Sequence, residues 1–379
     1  MIKTRRSTGS KIVVDSNNKT KLPKERPVNE TKYIGMDVHM ATTVIAVRNS
    51  VGKVVAESIV ETKASVIVDF LKGQRGALYV TFEEGTQASW LYDLIRPHAA
   101  EVVVCDPRQI AGQESKSDKT DAKRLAELLR TNSLKPIYHG EHRVQALKEL
   151  AHSYGSIIHD GTRVKNRLKA LFRGRGIACQ GTGVYSKKER DEWLKRLDNG
   201  ALRLRIQRLW KELDLLTELR QEAEKDLMVE ARRHPESKIL RSIPGIGPMR
   251  AAVILAFAIT PYRFRTRKQF WNYCGLGLRS KITSEYELVQ GRVRRSKKRP
   301  LLRGLNPNYN RALKDAFKGA AVTAALGPWK SQFDAMVEKG MRAPVALVTL
   351  ARKIAAISLV LWKKGERYDQ KKLKMLHAA

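Results

Sequence analysis

The chain has 379 residues, 42% of them hydrophobic and 29% charged, enough for two or three domains with cores of their own. Its 73 Lys and Arg against 38 Asp and Glu leave a formal charge of +35, a surplus that repels itself unless a polyanion offsets it, so nucleic acid is the leading partner. The low aromatic content and the even spread of cations do not suit a helix lying on an anionic membrane. Three cysteines far apart (Cys105, Cys179, Cys274) exclude a disulfide scaffold or a zinc finger and fit a reducing compartment.

Residues 1–32 are basic and lack the apolar run of a signal peptide, so a mobile tail is expected there. From Tyr33 the character changes. "YIGMDVHMATTVIAV" reads as a buried strand carrying Asp37, then a turn and a second strand, and "VGKVVAESIVET" supplies a third after Gly52. "ASVIVDFLKG" has helical spacing with Gly73 at its end. "GALYVTFEEGTQ" is a strand finishing at Glu83 and Glu84, "ASWLYDLIRPH" a helix, "AEVVVCDP" a short buried strand, and "KSDKTDAKRLAELL" opens another helix. Three strands in a row followed by alternating helix and strand predict a mixed α/β sheet over residues 33–140.

The next region, 141–237, is helical and rich in cations. "DEWLKRLDNGALRLRIQRLWKELDLLTELRQEAEKDLMVEARRH" brings Leu209, Leu213, Leu216 and Leu219 to one face, which predicts a long amphipathic helix in a coiled-coil or antiparallel arm. Residues 238–379 form a third, mainly helical region in which helices flank a Gly-, Arg- and Lys-rich middle. Near the end, "PVALVTLARKIAAISLVLW" carries Arg352 and Lys353 at its centre and is expected to be a buried helix, not a membrane span.

Asp118 and Asp121 admit two explanations. Ser117 or Asp118 can cap the helix with Asp121 in the first turn, where acids favour the positive end of the helix dipole. The same spacing puts both carboxylates on one face, where they can hold a divalent cation. Asp37 shifts the balance, because a charged residue in an apolar strand is costly to bury unless paired or bound to metal. With Glu84 at a later strand end, four acids can converge at one edge of the sheet, around two Mg²⁺ ions spaced about 3.5–4 Å apart. Glu83 competes with Glu84, since neighbours on a strand face opposite ways. His39 is read as a polar strand residue and the six tryptophans as core or seam residues.

Two further features suit a polynucleotide. "IPGIGPMRAAVILAFA", with Pro244, Gly245, Ile246 and Gly247, resembles the helix-hairpin-helix element of DNA-binding proteins; the plainer alternative is an ordinary tight turn. "GRVRRSKKRPLLR" sets Arg292, Arg294, Arg295, Lys297, Lys298, Arg299 and Arg303 in a run without an acid, suited to phosphate contact. Just upstream, Ser280 and Ser284 are hydroxyls in a cationic setting that can stabilise developing charge.

"GMDVHMATTVIAV", "FEEGTQASWLYDL", "KSDKTDAKRLAELL", "SIPGIGPMRAAVILA" and "FWNYCGLGLRSKITSEY", in this order, make most of residues 33–362 similar to the bridge-RNA-guided insertion-sequence transposases, often called DEDD transposases. The resemblance implies an RNase H-like N-terminal domain of the junction-resolvase type, with Asp37, Glu84, Asp118 and Asp121 as catalytic Mg²⁺ ligands. It implies a helical arm and a C-terminal transposase domain whose serine nucleophile links covalently to DNA. That serine is placed at Ser284; the family's Ser-Gly pair is absent here, and Ser280 stays open. A guide RNA, DNA element ends and target, and a homodimer or tetramer in the bacterial cytoplasm, at the nucleoid, are implied as well. The competing functions are a junction endonuclease that uses water as nucleophile and a nucleic-acid-binding protein without catalysis.

Overall fold

A computed structural model of the chain describes residues 30–106, 117–139, 142–281, 286–295 and 301–370. The chain divides into two compact units, Met1–Gly140 and Glu141–Ala379.

The first unit is built on one six-stranded sheet. Its elements are β1 (Lys32–Val38), β2 (Thr42–Asn49), β3 (Val54–Glu61), α1 (Ala64–Lys72), β4 (Leu78–Glu83), α2 (Ala88–Ile95), β5 (Glu101–Cys105), α3 (Asp118–Arg130) and β6 (Pro136–Ile137). The strand order is β3-β2-β1-β4-β5-β6. The first three strands pair antiparallel as consecutive hairpins, β4 and β5 run parallel to β1, and β6 returns antiparallel. This is the mixed α/β sheet that the order of predicted elements implied, consistent with the RNase H-like domain that the resemblance implied.

Alternation along the strands gives the sheet two different faces. Ile34 and Met36 of β1, Ile45 and Val47 of β2, Val80 and Phe82 of β4 and Val104 of β5 pack with Ile67, Leu71, Leu91 and Ile95 of α1 and α2. The opposite face takes α3, through Ala122 against Val44 and Ala46, and Leu125 against Cys105. Gly35 is what lets α3 lie so close. A Cβ there would stand 2.2 Å from the Ala122 carbonyl oxygen, 2.4 Å from the Ala126 nitrogen and 2.8 Å from the Leu125 Cβ.

The second unit contains α4 (Gln145–Arg173), α5 (Arg190–Lys195), α6 (Gly200–Arg232), α7 (Glu236–Arg241), α8 (Pro248–Ala258), α9 (Arg267–Tyr273), β7 (Leu278–Lys281), β8 (Tyr286–Val289), β9 (Arg292–Arg295), β10 (Leu301–Leu305), α10 (Arg311–Ala325), α11 (Lys330–Glu338) and α12 (Ala343–Lys364). The long helices α4 and α6 run antiparallel and belong to two cores. At one end Val164, Leu168 and Phe172 meet Trp193, Ile206, Leu209, Trp210 and Leu213, with the Trp210 indole N–H donating to the Val184 carbonyl at 2.9 Å. At the other, Leu147 and Ala151 of α4 and Leu227 and Ala231 of α6 join α8, α10 and α12. The expected leucine face holds at Leu209 and Leu213, is half-buried at Leu216 and exposed at Leu219, because the buried cluster at that end of α6 stops at Leu213.

The basic middle of the C-terminal region differs from a plain loop. β8 and β9 form a hairpin whose two turn residues, Gln290 and Gly291, have φ of 51° and 72°, the left-handed pair that suits the twist of a two-residue hairpin. β7 pairs with β10. Among the described residues α12 is the one helix long and apolar enough to cross a membrane. Its Leu350, Ile354, Leu359 and Trp362 are buried in the second unit, and the central Arg352 donates to the Leu276 carbonyl at 2.6 Å.

Gly35→Ala is expected to destabilise the first unit by about 1–3 kcal/mol or more, because overpacking here meets backbone atoms that have no rotamer to yield. Gly85, whose added Cβ meets nothing within 4 Å, is the control; Gly85→Ala should shift stability by no more than roughly 0.5 kcal/mol. Denaturant midpoints of the two variants compare these effects.

Candidate active site

Asp37 sits on β1 two residues beyond Gly35, so it projects from the same face of the sheet, the face that carries α3. At the start of α3, Ser117 does the capping. Its hydroxyl accepts from the Thr120 N–H at 3.3 Å and lies 2.7 Å from the Thr120 hydroxyl. The carboxylates of Asp118 and Asp121 are therefore not needed as caps, although both gain from the positive end of the helix. Of the two explanations for this pair, capping falls to the serine, and the acids are left to face Asp37.

His39 completes the group. Its Nε2 lies 3.3 Å from Asp37 Oδ2 and 3.6 Å from Asp118 Oδ2. One donor atom from each of Asp37, His39 and Asp118 falls within 4.8 Å of the others. Asp37 is the most enclosed, with its side chain 18% exposed, against 50% for His39 and 62% for Asp118. Burial raises the Asp37 pKa; the charges of Asp118 and Asp121 push the same way, and His39 opposes them. Carboxylates that disfavour one another's ionisation, one of them half-desolvated, form a donor set that a divalent cation relieves.

The two glutamates part company. In the register of β1 and β4 the last pair is Met36 with Phe82; continued one step, that register would put Glu83 opposite Asp37, and alternation assigns both to the α3 face. Cys105, which packs under α3 on that face, has its thiol pKa pushed up to about 11, chiefly by burial, with the charge of Glu83 adding to the rise. Glu84 turns the other way. Its N–H donates to the Cys105 carbonyl at 2.9 Å, and its Oε2 lies 2.6 Å from His139 Nε2. The His139 ring packs on Tyr92 of α2, with centroids 5.4 Å apart. Face and partner alike favour Glu83 as the companion of Asp37, with Glu84 tied to His139.

In the second unit, Gly245 and Gly247 lie between α7 and α8. Gly245 has φ of 84°, and a Cβ there would stand 2.1 Å from the Ala320 carbonyl oxygen, so its first role is to let the turn cross α10. Its own carbonyl accepts from the Arg250 guanidinium at 2.8 Å. Gly247 precedes α8 with nothing within 4 Å of an added Cβ. Arg292 and Arg294 are exposed on β9, and Arg295 ends that strand. Ser280 lies on β7 opposite Leu302. Ser284, Lys297, Lys298 and Arg299 lie outside the described residues.

Two family models match the chain. Residues 34–175 match the transposase model for IS110 DEDD transposases, and residues 237–336 match the model described as transposase, IS116/IS110/IS902 family. Together they cover more than half of the chain. The chain belongs to the IS110 family of DEDD transposases. It is thus a DNA-processing enzyme that carries out transposition, and a DEDD domain implies divalent metal. A search of curated proteins found no match.

Sequence reasoning set His39 aside in this transposase. The signal was the period of two, which places position 39 on the same side as position 37, next to an acid already singled out as costly to bury.

The two glutamates can be separated by paired variants. Glu83→Gln is expected to lower the thermal stabilisation that a saturating divalent cation confers, whereas Glu84→Gln keeps it. Loss of the half-exposed Glu84–His139 pair should cost no more than about 1 kcal/mol without metal. Melting curves with and without Mg²⁺ read both effects.

Proposed function

We propose that the enzyme excises and inserts a mobile element by Mg²⁺-dependent cleavage and rejoining of DNA strands. Asp37, Asp118 and Asp121 would hold the metal, with Glu83 as the fourth acid and Glu84 as its alternative. The observation that carries this reading is the approach of Asp37 and Asp118, from a strand and a distant helix, to donor-atom separations within 4.8 Å with His39 between. When bound, divalent ions neutralise phosphate charge and stabilise the attacking and leaving oxygens.

The nucleophile proposed is the hydroxyl of Ser284, with Ser280 as the alternative, on the resemblance of "GLGLRSKITSEY" to the serine-bearing segment of the family. Its oxygen would attack the scissile phosphorus, forming a phosphodiester to the protein and releasing a deoxyribose hydroxyl. Attack by a hydroxyl of the receiving strand would reverse the link and return the serine. No bond energy is lost to water, so rejoining needs no further activation. Arg292, Arg294 and Arg295, and the Lys297–Arg299 run beyond them, would grip nucleic-acid backbone, as would the turn at Gly245 and Gly247. A structured guide RNA selecting the DNA sites, assembly as a dimer or tetramer, and a location in the bacterial cytoplasm at the nucleoid complete the proposal, and the charge of +35 suits two polyanionic partners at once.

The test is to purify the protein with its co-isolated RNA and incubate it with labelled target DNA in Mg²⁺. A denaturation-resistant protein–DNA adduct is expected, lost in Ser284→Ala and reduced at least about a hundredfold in rate in Asp37→Asn, equivalent to roughly 2.7 kcal/mol of transition-state stabilisation. An adduct that persists in Ser284→Ala and disappears in Ser280→Ala would move the nucleophile. Free ends without any adduct would replace the serine by water. For the grip, replacing Arg292 and Arg294 together by Ala should make the dependence of log affinity on log salt shallower by about 2, if each holds one phosphate.

A further inference from the structure

Resting on the divalent-metal reading of this site, we propose that His39 is a nitrogen ligand of the same ion as Asp37 and Asp118, which shifts the site's preference from Mg²⁺ toward Mn²⁺. The four acids alone would make an all-oxygen site; the imidazole makes it a mixed one.

The distances carry the inference. A charge-assisted N–H···O bond runs to about 2.7–2.9 Å. The Nε2 separations of 3.3 Å to Asp37 and 3.6 Å to Asp118 are longer than that and nearly equal. Donor atoms held about 2.1 Å from one ion stand about 3.0–3.4 Å apart at octahedral to tetrahedral angles. The 3.3 Å spacing falls in that range and the 3.6 Å spacing lies just above it, with all three donor atoms within 4.8 Å of one another. Among the described residues this is the one group of three His, Cys, Asp or Glu side chains whose donor atoms come this near one another.

The position of His39 is also held independently of the acids. Its N–H donates to the Thr42 carbonyl at 3.0 Å, which closes the β1–β2 turn. Its carbonyl accepts from the Thr62 hydroxyl at 2.9 Å, and Thr62 Oγ1 lies 2.8 Å from Thr43 Oγ1. The loop carrying the imidazole is therefore tied to β2 and to the end of β3. Backbone bonds of this kind preorganise a ligand. The ring itself is half exposed, which leaves an entry path for an ion.

The chemistry then sets the preference. Mg²⁺ demands oxygen donors and keeps its waters, whereas imidazole suits the first-row transition ions, and Mn²⁺ accepts both donor types. Replacing one carboxylate or water by imidazole nitrogen gains more for Mn²⁺ than for Mg²⁺.

The experiment uses the full chain with Mn²⁺ as the probe. Pulsed electron paramagnetic resonance of the bound Mn²⁺ should show ¹⁴N modulation from a directly bound imidazole, and growth on ¹⁵N-histidine should replace it in the otherwise unaltered protein. His39→Ala, checked for an unchanged circular dichroism spectrum, should lose the modulation and weaken Mn²⁺ binding about tenfold. Mg²⁺ binding, measured by calorimetry, should fall about threefold or less. Bound Mn²⁺ without nitrogen modulation in the natural chain, or modulation that survives His39→Ala, would overturn the assignment while leaving the acid site intact. Failure of the natural chain to bind Mn²⁺ or Mg²⁺, or binding unaffected by Asp37→Asn, would instead remove the metal reading on which the proposal rests.

Discussion

The approach of α3 to β1 at Gly35 is the contact on which the site depends. It brings the first turn of a helix from late in the unit over the first strand, and it does so at the residue that sets the side on which Asp37 emerges. Donor atoms of Asp37 and Asp118 within 4.8 Å repel when both are ionised, by about 3–4 kcal/mol at an effective dielectric constant near 20. That repulsion has to be offset by packing elsewhere. Ala122 and Leu125 of α3, seated on the strands beside Gly35, supply it through burial. The site is thus held by apolar contacts in which the acids take no part.

Capping shows the same division of labour. A helix that opens Ser-Asp-Lys-Thr-Asp has four residues of the kinds that bond the first N–H groups, and the serine takes the task. Had Asp118 been the cap, its oxygens would have been turned inward to the helix and withdrawn from Asp37. The raised pKa of Asp37 is a consequence of the same construction, since burial and the neighbouring carboxylates both disfavour its charge. A cation bound there, as proposed, would reverse both effects.

Much of the first unit was legible because its strands and helices are short and well punctuated. The apolar run around Asp37, the turn at Gly52 and the Asp-x-x-Asp opening of α3 state their elements locally. Gly35 was not legible as a packing contact, because its reason lies in Ala122 and Ala126, far along the chain. Between Glu83 and Glu84 the resemblance pointed to Glu84; the β1–β4 register and the Glu84–His139 contact, invisible in the sequence, are what support our proposal of Glu83. The β8–β9 hairpin escaped notice because its turn puts Gln290, a residue with no special liking for positive φ, where an Asn or Gly would have announced it. Where the sequence pattern is local the reading succeeds, and where a residue's role is fixed by a distant partner it fails.

The site and the rest of the chain stand in an electrostatic relation that neither has alone. A divalent ion among three or four ionised carboxylates would still leave the cluster net negative, so the site by itself does not attract phosphate. The long-range attraction has to come from the surplus of Lys and Arg spread over the other regions, including the exposed Arg292 and Arg294 of the hairpin. Binding energy gained along the polynucleotide backbone is then available to carry one phosphate into an acidic cluster that would otherwise repel it. On the proposed function, cleavage would be coupled to extended engagement of nucleic acid, because a short fragment cannot supply those backbone contacts.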